Sequence, residues 1–512
     1  MTTVGVARSQ EAIEVSPVDQ DGLRPGGRPS AAPIAVATRR VLLGHVPSEG
    51  AASAVARRIR TAIGLGVLAD GEKLPKEADL ARQLGVTTFS LREALGVLRS
   101  EGLIVTRVGK KGGSYVAHPP ARESMAGEEL VRLSATELRD LGDWKAALTT
   151  YAARLAARRG SAATADQLAG CADELQAAGS PAAARRALGR FHVELAAGAQ
   201  SIRLTRAELV VHEEFDWLAQ VPFQQQRHRV AAAELMRAVS THVRVGDTEA
   251  AWHAGEQLVS LVVTELVRAR LQMLAVRQAE PGQVARPSAG DLAAELRRIV
   301  DRVVQLLEEM GRDVAATFDR RPGVRELTVG VARSVLPRLV VLDDVIHGLG
   351  FMAEVGVLPE ARHWVEWWQR TYDGTFDRDF SHQLDPARDD FYEYGRKAYM
   401  TRPRATGQPS AVGPYIDHGG VDDYVVTVSV PVTSDGSFVG IMAADIRVAS
   451  LEQAVSPWLA QADGTWILVS EGRVLLSNSV RRDVGDVVPD DDAGLTLDQV
   501  GRFGWTIGRE PA

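Results

Sequence analysis

The chain reads as a multi-domain protein: a winged helix-turn-helix, then an all-α helical bundle, then an α+β domain on an antiparallel sheet. Three observations predict this. The run Leu74–Val116 holds two short amphipathic helices about a glycine turn, then two strands around a basic, Gly-rich loop. From Arg122 to about Val276, nearly every segment is rich in Ala, Leu and Arg, with a helical period and few prolines. Beyond Tyr424 the hydrophobic period changes to two, with Gly, Asp and Ser between the runs.

Composition bounds the rest. A length of 512 residues predicts about three domains, and 45% hydrophobic residues suffice for several cores. No stretch approaches about 18 apolar residues, so no membrane span is expected. The first 50 residues, rich in Gly, Pro, Ser and charge, lack an apolar signal core and read as a disordered lead. The single cysteine, Cys171, lies in a helical pattern and reads as a small buried hydrophobe, excluding a disulfide framework within the chain. A cytoplasmic protein is expected.

In the first short helix Ala78, Leu80, Ala81 and Leu84 carry the apolar positions, Gly85 breaks it, and Thr87 suits the next N-cap. The second helix packs on Leu91, Ala94, Leu95 and Leu98, while Thr88, Arg92 and Arg99 align on its outer face. Such a helix, basic outside, fits a major groove. A wing follows, Leu103–Arg107 and Ser114–Val116, with Lys110, Lys111 and Gly112 at its tip to meet phosphate. Residues 51–118 balance to +5 within a chain of −7, leaving −12 for the remainder. A basic module on an acidic body concentrates phosphate attraction in one place.

LPKEADLARQLGV, LREALGVLRSEGLI and GKKGGSYV, in that order and spacing, resemble the winged helix of GntR-type bacterial transcription regulators over about residues 51–119. The resemblance implies operator DNA as partner, with Lys76, Thr87, Thr88, Ser90, Arg92, Arg99, Lys110, Lys111 and Gly112 as candidate contacts. Family members usually carry Arg where this chain has Ala78, and often where it has Thr88, so a different recognised site is implied.

The helical stretch, residues 122–277, resembles the FCD domain of the FadR-like branch through WKAAL, FHVELA and the turn Gly246-Asp247. That likeness implies effector binding and homodimerisation. Many such domains hold a divalent metal through an Asp, a His four residues later and two further His. His192 matches one ligand, but the other three positions fall on Leu188, Met236 and Leu258, and aliphatic side chains cannot ligate a hard cation. No metal is therefore expected; His192 reads as a core or interface histidine, and the bundle as a dimerising scaffold. The alternative reading puts a small carboxylate or metal effector in the bundle around His192.

A Pro/Gly/Ala/Ser linker is expected at 278–290. Then Leu292, Leu296, Ile299, Val303, Leu306 and Met310 form a seam on one long helix, suiting either its own domain or an intersubunit coil. Strands are expected at Tyr424–Val432, Phe438–Ile446, Thr465–Ser470 and Arg473–Ser477. Trp364, Trp367 and Trp368 suit a pocket wall or an amphipathic core helix equally. GPYIDHGGVDDYVVTVSVPVTSDGSFVGIMAADI resembles the centre of Cache (PAS-like) sensor domains, and the likeness extends over about residues 291–512. In the amino-acid- and amine-binding Cache group, an Arg, an aromatic pair, a Tyr-x-Asp and a later Asp line the pocket. The resemblance carries these onto Arg388, Phe391, Tyr392, Tyr415, Asp417 and Asp445, although the stretch from Arg388 to Tyr392 is one residue longer than the family's and has Phe for Trp. Two carboxylates beside aromatic rings suit an ammonium group.

The expected protein is thus a ligand-responsive, DNA-binding transcription regulator without a cofactor. No Gly-rich phosphate loop after a strand, H-E-x-x-H or G-x-S-x-G argues for an enzyme.

Overall fold

The computed structural model describes residues 50–109, 112–117, 120–278, 289–319, 322–339, 345–371, 374–379, 382–388, 391–417, 423–462, 464–489 and 496–510. The expected N-terminal lead, most of the expected linker, and Lys110 and Lys111 lie outside these residues.

The winged helix comprises α1 (Ala51–Gly64), α2 (Glu77–Leu84), α3 (Thr88–Ser100), β1 (Ile104–Arg107) and β2 (Gly113–Val116). Gly85 ends α2 at φ 69°, a left-handed cap open to glycine. The Thr87 side chain accepts from the Ser90 N–H and starts α3. Leu80, Leu84, Leu91, Leu95 and Leu98 close a core with Ile59 of α1. Ala78, expected among the apolar positions of α2, is exposed instead: the buried side of so short a helix is filled by Leu80, Ala81 and Leu84.

The bundle follows: α4 (Pro120–Arg132), α5 (Ala135–Arg159), α6 (Ala162–Gln176), α7 (Pro181–Gly198), α8 (Ile202–Val211), α9 (Gln226–Val245) and α10 (Thr248–Gln278). Ser134 and Glu137 form a reciprocal capping box at the start of α5. In the interior, Lys145 Nζ donates to Glu208 Oε1 at 2.5 Å, both side chains almost wholly buried. Cys171 is buried as expected, and burial pushes its thiol up to about 12. The winged helix is seated on this bundle. Val193 of α7 belongs to the winged-helix core, Arg185 and Arg190 donate to the Gly64 and Leu65 carbonyls at 3.1 Å each, and the Thr61 hydroxyl meets Glu213 at 2.8 Å.

The C-terminal part opens with α11 (Ala289–Phe318) and α12 (Val324–Leu339). The seam of α11 turns inward: Leu292, Leu296, Ile299, Val303 and Met310 are buried in this domain's own core, with Leu306 packed against it. Of the two uses open to that spacing, this chain shows the intramolecular one. A six-stranded sheet runs in the order β5-β4-β3-β8-β7-β6, every neighbouring pair antiparallel. Its strands are β3 (Ile346–Ala353), β4 (Val365–Arg370), β5 (Phe376–Asp379), β6 (Ser410–Ile416), β7 (Tyr424–Ser434) and β8 (Ser437–Arg447), with α13 (Ala398–Thr406) before β6. After α14 (Val448–Gln461) a second sheet of four strands, β9 (Trp466–Ser470), β10 (Arg473–Ser477), β11 (Thr496–Val500) and β12 (Trp505–Arg509), takes the order β10-β9-β12-β11. The tryptophan-rich run is strand β4, not a helix. Trp368 enters the main core while Trp367 enters a separate cluster on the opposite face, as a period of two requires.

Helix α14 fastens the C-terminal domain to the bundle. Glu452 is buried, accepts from the Ala135 N–H at 2.6 Å and pairs with buried Arg270 of α10 at 2.6 Å.

Candidate functional site

Two places carry chemistry. The first is the outer face of α3. Its buried side is spent on Leu91, Ala94, Leu95 and Leu98, leaving Thr88, Arg92 and Arg99 exposed. Arg92 Nε donates to Glu77 Oε2 at 2.7 Å, an exposed pair that holds the guanidinium beside α2. Arg99 Nη1 reaches Thr106 Oγ1 of the wing at 3.4 Å. Thr87 and Ser90 exchange the N-cap bond, so their hydroxyls serve the helix start. Lys76 is exposed at the N-cap of α2, and Gly112 closes the wing turn through its N–H to the Gly109 carbonyl at 2.7 Å. Lys110 and Lys111 fall outside the described residues. Phe89, which sequence reasoning passed over, is the most exposed residue of its size at this end of α3.

The second place is the face of the six-stranded sheet turned away from α11. Alternation sends Val426, Val428, Met442 and Ala444 to the main core, and Thr427, Ser429, Ala443 and Asp445 to the other side. Thr427 stands directly opposite Asp445 across β7 and β8 and donates to its Oδ1 at 2.6 Å. A register shift between Val412 and Tyr415 brings the Tyr415 hydroxyl to Thr427 Oγ1 at 2.6 Å. Tyr392 and Tyr399 share a hydrogen bond at 2.8 Å, and the His382 ring lies 4.5 Å from that of Tyr392. On the other flank of Asp445 its partner is Gly348, where a Cβ would come within 2.7 Å of the Trp367 indole nitrogen; only glycine admits that ring.

Burial drives the electrostatics. Asp445 is held at about 7, first by desolvation, opposed by the Thr427 hydrogen bond, and raised further by Asp417. The hydroxyls of Tyr392, Tyr399 and Tyr415 are pushed up by burial, and the charges of Asp417 and Asp445 add to it. Asp417, at the end of β6, is buried and accepts no share of the Thr427 bond.

Of the six predicted pocket residues, Tyr392, Tyr415, Asp417 and Asp445 therefore converge. Phe391 packs edge-on against His363 at 4.9 Å, and Arg388 is exposed on the loop before it. Thr427 and Tyr399 complete the cluster and were missed; Trp367, one of the three tryptophans that suited a pocket wall, joins it as well. The signal for Thr427 was its place among the alternating valines of YVVTVSV. In the bundle His192 is buried beside Phe191, and Leu188, Met236 and Leu258 are core residues. Among the described residues no group of three or more His, Cys, Asp or Glu is arranged to hold a metal ion.

The pattern of the bacterial regulatory proteins of the gntR family matches residues 51–116, and the FCD domain matches residues 140–260. The "Putative HTH-type transcriptional regulator RmpR" of Mycobacterium gastri is 35% identical over 262 residues, covering 50% of this chain and 93% of the relative. The chain belongs to the GntR family. An uncharacterized HTH-type regulator of Mycobacterium tuberculosis is 41% identical over 142 residues, 27% of this chain and 58% of that protein. Among solved structures, a GntR family member from Pseudomonas syringae pv. tomato has 23% identity and a TM-score of 0.20, covering 45% of this chain and 94% of that one. The ligand-binding domain of the Pseudomonas fluorescens chemoreceptor CtaA, in complex with L-valine, has 12% identity and a TM-score of 0.30, covering 44% of this chain and 94% of that one. The matched GntR and FCD patterns account for the winged helix and most of the bundle, and end before the domain that carries Asp445.

Proposed function

We propose that this GntR-family regulator is cytoplasmic, binds operator DNA as a homodimer through α3 and the wing, and answers a small amine-bearing metabolite held at Asp445. The observation that carries the sensor reading is Asp445 itself: a carboxyl buried in a ring of tyrosines, with Asp417 near enough to raise its pKa. Burying two carboxyls without a counter-charge is costly. An ammonium group entering between them restores their charge, and the rings of Tyr392, Tyr415 and Trp367 offer it π faces. The DNA reading is supported by the exposed basic face of α3 and by the family to which the winged helix belongs. Ligand would act by shifting the population of relative placements of the two winged helices.

Calorimetric titration of the full chain with primary amines, diamines and α-amino acids tests the sensor reading. An amine should bind to the wild type, and Asp445→Ala should abolish that binding while the unliganded variant still retards DNA. Tight binding of an amine-free ligand, unchanged by Asp445→Ala, would remove the pocket assignment.

A further inference from the structure

Phe89 is 70% exposed, lies in the first turn of α3, and is not part of the winged-helix core. With about 100° of turn per residue, it points about 170–180° away from the mean direction of Leu91, Ala94, Leu95 and Leu98. In the first turn of α3 it is therefore the residue aimed most squarely outward, with Arg92 about 60° to one side of it and exposed Glu93 about 40° to the other on the next turn. Its sequence neighbours Thr88 and Ser90 are small and polar, and at 70% exposure the ring is left largely bare by the side chains around it. Burial of a Phe ring is favourable relative to leaving it exposed. A ring left in water here gains that only when something covers it.

The first residues of a recognition helix are those that reach base edges in a major groove. The one apolar group a base pair presents there is the thymine C5-methyl. We infer that Phe89 is a specificity-determining residue that packs on thymine methyl groups of the operator, reading T by apolar contact beside the polar and charged reading of Arg92. This rests on the DNA-reading role of α3. It also offers a physical route to a recognised sequence unlike that of relatives with Arg at position 88.

The test uses the full chain and a duplex enriched by the wild-type protein from a random library. Each thymine is replaced in turn by deoxyuridine, which deletes only the methyl. Wild-type affinity should fall about four-fold at one thymine per half-site or more, the equivalent of one apolar carbon left uncovered. Phe89→Ala should bind the unmodified duplex about ten-fold more weakly, show no penalty for deoxyuridine at those positions, and keep its thermal midpoint. Wild-type protein indifferent to deoxyuridine everywhere, or Phe89→Ala as sensitive to it as wild type, would overturn the inference while leaving DNA binding intact. Failure to enrich any duplex would remove the DNA reading and the inference together.

Discussion

At the scale of single residues, two side chains carry opposite kinds of charge chemistry. Arg92 is solvated and held by Glu77, and an exposed pair of this sort contributes only about 0–1 kcal/mol to stability. Arg92→Ala should therefore leave folding unchanged and cost about 1–3 kcal/mol of DNA affinity, read by gel-shift titration beside circular dichroism. Asp445 is the reverse case. Its folded pKa of about 7 lies above the ordinary value of 3.8, so between these the folded chain binds more protons than the unfolded one. Stability of the unliganded protein should fall as pH rises through that window and level off above it. An ammonium ligand needs the carboxylate, so its affinity should weaken as pH drops below about 7. Asp445→Asn should flatten both profiles, seen as a thermal midpoint above wild type at neutral pH and a small difference near pH 4. Tyr415, Asp417 and Asp445 were legible because they fall on a motif with fixed spacing. Thr427 and Tyr399 were not, since which residue stands opposite which is set by strand register, and register is written in turns and bulges that no local pattern displays.

At the scale of elements, legibility followed the length and regularity of the hydrophobic period. The paired strands β7 and β8 fall within two residues of their expected limits, because valine alternation fixes one face of each to the core. The run HWVEWW was ambiguous for a physical reason: three large aromatics within five positions bury equally well on a helix stripe or on both faces of a strand. Only the two different clusters that receive Trp367 and Trp368 decide it. Strands β3, β5, β6, β11 and β12 were unread. β3 is apolar on both faces, with Gly348 and Gly350 inside it, and so shows no alternation at all. The one helix start read from its cap was read well, since a cap is a local bond. The Thr87 side chain accepts the Ser90 N–H, and Thr87→Ala should lower winged-helix stability by about 1 kcal/mol. The neighbouring exposed Thr88→Ala should leave stability unaltered, a contrast that chemical denaturation resolves.

At the scale of the whole molecule, the three units are joined by buried polar contacts that sequence could not foretell, because partners hundreds of positions apart share no local signal. Arg185 and Arg190 seat the winged helix on the bundle, and Glu452 with Arg270 seats the C-terminal domain. Removing one partner of a buried pair strands the other charge, at a cost of about 3–5 kcal/mol. Glu452→Gln keeps an acceptor for the Ala135 N–H but not the charge, so the unfolding free energy of the full chain in urea should fall by that order, and its midpoint with it. A midpoint equal to wild type would mean that this contact does not hold the units together. The placement of Glu452 also has a mechanical meaning. Strand β8, which bears Asp445, ends at Arg447, and α14 begins at Val448 with Arg447 as its N-cap. No loop intervenes, so Asp445 and the Glu452 anchor at the start of α5 stand seven residues apart on one unbroken run of strand and helix, a short lever between that carboxyl and the bundle.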